Sequence, residues 1–124
     1  MPATSTKPTI KVLYGESDEE VLAAQASAMK KVGHHVTTAV GRHGVQEALR
    51  RDAFDLVILG ATLNKDDRHH LPYMVKKAHA GTKVLVMQGS SRHHEVDATV
   101  DPGMSMQLVL EKIARVISEQ IVSV

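Results

Sequence analysis

The chain has 124 residues, with 15 Lys and Arg against 14 Asp and Glu, and no cysteine. That length allows one domain of ordinary size, and the missing cysteine excludes disulfides, thiolate metal sites, iron–sulfur clusters and cysteine nucleophiles. A formal charge of +1 and an aromatic content of 2% argue against nucleic acid, anionic membranes and aromatic recognition cages.

Residues 1–8 contain no apolar stretch and read as a disordered leader, not a signal peptide, so the expected compartment is the cytoplasm. Thr9–Tyr14 follows as a short strand rich in β-branched residues. Ser17-Asp18-Glu19-Glu20 has the pattern of a capping box, with the Ser17 hydroxyl accepting from the Glu20 amide. Val21, Leu22, Gln25, Met29 and Val32 then recur at helical spacing, and Gly33 stands where a helix would stop.

His35–Val40 predicts a second strand, Val45–Arg51 a short helix and Asp55–Leu59 a third strand. Asn64-Lys65-Asp66-Asp67 has the composition of a turn. Leu71–Ala80 reads as a helix with Pro72 in its first turn and Gly81 after it. Lys83–Met87 predicts a fourth strand and Asp97–Val100 a weaker fifth. A broad apolar stripe from Met106 to Ile121 marks a long last helix. Leu56–Leu59 and Val84–Met87 are apolar without alternation, as in parallel strands covered on both faces.

Strands alternating with helices imply an α/β fold with a parallel sheet, right-handed crossovers and helices on both faces. One domain is expected, over residues 9–122. Ligands of such sheets bind beyond the carboxyl ends of the strands. The loops there begin at Gly15, Gly60, Gln88 and Asp101.

Val12-Leu13-Tyr14-Gly15-Glu16-Ser17, then Gly33-His34-His35-Val36-Thr37-Thr38-Ala39 leading to Gly41 and Ala48-Leu49, then Asp55-Leu56-Val57-Ile58-Leu59 and Asp101-Pro102 stand in a characteristic order. In that order and spacing the chain resembles the receiver domain of two-component response regulators, the CheY-like form of the flavodoxin-like fold. The resemblance runs from about Thr9 to Ile121 and implies a five-stranded parallel sheet.

It also implies an acidic pair after the first strand to hold Mg²⁺ and a phosphoryl-accepting aspartate after the third. A Thr or Ser is expected after the fourth strand, a lysine before the proline after the fifth, and an aromatic on the fifth. At those positions this sequence has Glu16-Ser17, Gly60, Gln88, Asp101 and Ala98. Gly60 carries no nucleophile, and Asp101 sets a carboxylate where a cation would offset the phosphoryl oxygens. Between the fourth and fifth strands, Ser90–Glu95 is too short for the usual fourth helix, so that helix is expected to be shortened or missing.

The expected function is that of a pseudo-receiver: a signalling adaptor in a two-component or phosphorelay type of pathway, independent of phosphorylation and acting by protein–protein contact. No enzymatic activity, catalytic residue or cofactor is expected, and neither nucleic acid nor membrane is an expected partner. Met104, Met106 and the Ile121–Val124 tail offer apolar surface for a homodimer.

A second reading comes from the histidines, eight in all with six in His-His pairs. His69-His70 and His93-His94 are expected on loops at the same end of the sheet as Glu16, Asp18, Asp66, Asp67 and Asp101. Imidazole with carboxylate suits a divalent transition metal. A small metal- or ligand-binding protein would use Glu16, Asp18, His69, His70, His93 and His94. No spacing such as HExxH supports a preformed site.

Overall fold

The computed structural model describes residues 10–31, 33–87, 98–100, 111 and 113–115. In chain order these form β1 (Lys11–Glu16), α1 (Glu19–Lys31), β2 (His35–Val40), α2 (Gly41–Arg51), β3 (Leu56–Leu59), α3 (Lys65–Ala78), β4 (Lys83–Met87) and β5 (Ala98–Val100). Residues 111 and 113–115 are also helical. The strands pair in parallel in the order β2-β1-β3-β4-β5. The α/β class and the parallel sheet expected from the sequence are therefore present. Residues 1–8, expected as a leader, the Ser90–Glu95 connection, Gln88, His93, His94, Asp101, Met104, Met106 and Ile121–Val124 lie outside the described residues.

The sheet is sandwiched between two apolar clusters. On one face Val12, Tyr14, Leu56, Ile58 and Leu85 meet Leu22, Ala26 and Met29 of α1, together with Ile113. On the other, Leu13, Val57, Leu59, Val84 and Val86 meet Val45 and Leu49 of α2 and Leu71 and Val75 of α3. Alternate residues of one strand thus enter opposite clusters, and all four residues of β3 are buried. Cover on both faces is the reason these strands show no polar alternation. Each such Leu, Ile or Val contributes about 1.5–3 kcal/mol on burial.

Three helices begin elsewhere than the sequence pattern suggests. α1 starts at Glu19, and its cap is Asp18, not Ser17: Asp18 Oδ1 accepts from the amides of Glu20 (2.9 Å) and Val21 (3.2 Å). The Thr62 hydroxyl accepts the amides of both Ser17 and Asp18 and so keeps them out of the helix. α2 starts at Gly41, four residues before Val45. Gly41, at φ +70°, lets the chain pass from β2 straight into a helix, a backbone state open to glycine at little cost.

α3 starts at Lys65 and ends at Ala78, so the expected turn at Asn64–Asp67 is the first turn of a helix. Asn64 Oδ1 accepts from the Asp67 amide at 2.8 Å, and Asp66 and Asp67 meet the positive end of the helix dipole. Turn formers and N-cap formers are the same residue types, so composition alone could not separate the two. As a consequence Pro72 lies inside α3, and His69 and His70 stand exposed on a helix, not on a loop.

Candidate functional site

β1 and β3 run side by side with Gly15 opposite Leu59. Glu16 closes β1 and Gly60 follows β3, so the parallel register sets these two residues next to each other at the carboxyl edge of the sheet. The Gly60 amide donates to Gly15 O at 2.8 Å, which holds the two chains together there. Gly60 has no side chain, and the space a Cβ would take is filled by the carboxyl group of Glu16. Glu16 is buried, with 1% of its surface exposed.

Both carboxyl oxygens are satisfied. Oε1 accepts from the Thr62 amide (2.9 Å) and the Thr62 hydroxyl (2.6 Å). Oε2 accepts from the hydroxyl of Tyr14, which also reaches Gln25 Oε1 of α1 at 2.6 Å. The Thr62 hydroxyl has one proton and two lone pairs, and all three are used: it donates to Glu16 and accepts the Ser17 (2.9 Å) and Asp18 (3.0 Å) amides. One network therefore clasps β1, the loop before α1 and the loop after β3.

Tyr14 is fully buried. Burial first, then its hydrogen bond to Glu16 and the charge of that group, hold its hydroxyl well above its ordinary pKa of 10.0. The folded protein thus keeps this proton to higher pH than the unfolded chain. The associated stability is complete below about pH 10, where both states are protonated, and is lost as pH rises beyond it. Urea midpoints measured from about pH 8 to pH 11 should fall at the alkaline end, and Tyr14→Phe should flatten that fall. An unchanged slope in the variant would assign it to another group.

Among the described residues the metal candidates do not converge. Glu16 is enclosed by Thr62 and Tyr14, Asp18 Oδ1 caps α1, and His69 and His70 are exposed on α3. Among the described residues no group of three or more His, Asp or Glu side chains could hold a metal ion. The Mg²⁺ of a receiver site does not fit the residues present, because Ser17 replaces one acid and the oxygens of the other are already taken.

Tyr14, Thr62 and Gln25 were not legible as site residues. Glu16 and Gly60 each stood out, but only the β1–β3 register couples them. A long acid ending one strand and a glycine after its neighbour was the available signal.

No protein-family model matches the sequence, and no curated protein matches it. Solved structures share its fold. A CheY-like response regulator receiver domain from Methanospirillum hungatei JF-1 superposes with a TM-score of 0.80 at 17% identity, over 94% of this chain and 100% of that one. The signal receiver domain of an HD domain-containing protein from Pseudomonas fluorescens Pf-5 gives 0.78 at 18% identity, over 98% and 96%. NtrX from Brucella abortus gives 0.77 at 15% identity over 94% of this chain, which spans only 28% of NtrX. The fold is thus that of CheY-like receiver domains. No helix among the described residues is long and apolar enough to cross a membrane.

Proposed function

We propose that the chain is a phosphorylation-independent pseudo-receiver, a non-catalytic adaptor acting by protein contact in a two-component type of pathway. The observation that carries this reading is the Glu16 carboxyl group lying in the space an acceptor side chain at residue 60 would need. Phosphoryl transfer depends on an aligned nucleophile and on cations that offset the phosphoryl charge. Gly60 supplies no nucleophile. The hydrogen bonds that Glu16 receives from Thr62 and Tyr14 replace the contacts a metal would make. The receiver-like sheet remains as a scaffold on which helix faces can be presented to other proteins.

Incubation with acetyl phosphate and Mg²⁺, followed by intact-mass measurement, should leave the protein unmodified. A stoichiometric gain of one phosphoryl group, released on hydrolysis as an acyl phosphate would be, would overturn the reading.

A further inference from the structure

The charge of this protein is unevenly placed. α2 carries three arginines against Glu47, and α3 carries three lysines and Arg68 against Asp66 and Asp67. Those 11 and 14 residues together hold seven cations and three carboxylates, a net of +4. The whole chain is only +1, which leaves −3 on its other 99 residues. The two helices pack on the same face of the sheet, and Arg42 of α2 approaches Asp67 of α3 at 3.9 Å where both helices begin. The near-neutral total therefore conceals one strongly basic helical layer.

Toward the other ends of these helices lies an open cavity of about 260 Å³, lined by Gln46, Leu49 and Arg50 of α2 and by Met74 and Ala78 of α3. Buried Leu49 and half-buried Met74 give the floor an apolar part, beside the polar Gln46 and Arg50. Arg50 is exposed at its edge, paired only at the surface with Glu47 of its own helix at 3.5 Å. Lys77, also exposed, stands 5.9 Å over the ring of Tyr73, whose side chain is one of the two large hydrophobics left exposed among the described residues.

We propose that this groove between α2 and α3 docks an acidic amphipathic helix of a protein partner. An apolar strip at i, i+3, i+4 and i+7 would enter the floor, and flanking carboxylates would meet Arg50 and Lys77. Met74 suits such a floor because its unbranched side chain adapts to the apolar group it meets. Exposed tyrosine and arginine are residues that anchor protein interfaces. The apolar part of the floor favours this occupant over a nucleic acid, whose phosphates would use the cations alone. The inference deepens the adaptor reading by giving the partner's chemistry.

The probe is a fluorescently labelled peptide of about 18 residues made of Glu and Leu, with Leu at that helical spacing. Fluorescence anisotropy at low ionic strength should show saturable binding that weakens with salt. The double variant Arg50→Glu/Lys77→Glu should bind at least about tenfold more weakly. Lys30→Glu/Lys31→Glu changes the net charge equally but on α1, across the sheet, and should bind as the native protein does. Met74→Ala, with no change of charge, should weaken binding several-fold, and circular dichroism should show all three variants folded.

The proposal is overturned if the native protein does not bind. It is equally overturned if both charge variants lose binding alike, if a scrambled peptide of the same composition binds as well, or if oligo-dT or anionic vesicles bind in its place. None of these variants alters Gly60 or Glu16. The acetyl phosphate measurement therefore fails or succeeds separately from this one.

Discussion

Gly60→Ala should lower the stability of the protein by about 2–3 kcal/mol, a large fraction of what a domain of this size has. The added methyl group would coincide with the Glu16 carboxyl group, which has nowhere to withdraw: it is buried and fixed by Thr62 on one side and Tyr14 on the other. The same substitution should behave oppositely in a Glu16→Ala background. Gly60 does not adopt a positive φ, so once the carboxyl group is gone an alanine there meets no obstruction from it. It then gains up to about 1 kcal/mol from the lower entropy of the unfolded chain. Urea unfolding of the four proteins gives the coupling directly, and a cost of Gly60→Ala that is equal in both backgrounds would refute the contact as its cause. The result bears on function, because an acceptor side chain installed at residue 60 must first displace Glu16.

Thr62→Val should cost about 1–3 kcal/mol although it preserves shape. Among the described residues this hydroxyl is the one group that serves Glu16 and the start of α1 together. Without it Oε1 keeps only the Thr62 amide, and the amides of Ser17 and Asp18 lose their acceptor. Those two amides belong to exposed residues and can turn to water, so the larger share of the cost falls on buried Glu16. Hydrogen exchange should therefore speed up at Ser17 and Asp18, while Thr62→Ser, which keeps the hydroxyl, should cost less than about 1 kcal/mol. A valine variant that costs no more than the serine variant would refute the hydroxyl as the source of the effect.

Local chemistry made much of the fold legible. Leu56–Leu59 and Val84–Met87 are apolar at every position, and only strands covered on both faces can bury such runs. The helix starts were less legible. Asn64, Asp66 and Asp67 favour turns and helix N-termini for the same reason, a short side chain able to accept from nearby amides. Gly41 resembles a loop residue until its left-handed backbone is seen to carry β2 directly into α2. The histidine pair at residues 69 and 70 changed meaning with the start of α3, from candidate loop ligands to exposed positions on a helix.

The alternation of strands and helices, the parallel sheet that follows from it and the lack of a nucleophile at Gly60 are written along the chain. These depend on residue type and on periodicity along the chain. What fills the space beside Gly60, and where the charge gathers, depends on how the elements pack. Glu16 reaches Gly60 because parallel pairing aligns two strand ends, and it is satisfied there by Thr62, 46 positions further along the chain. The basic layer arises because α2 and α3 fall on one face of the sheet, so charges that nearly cancel along the chain do not cancel in space. Register and packing join residues that no local pattern connects.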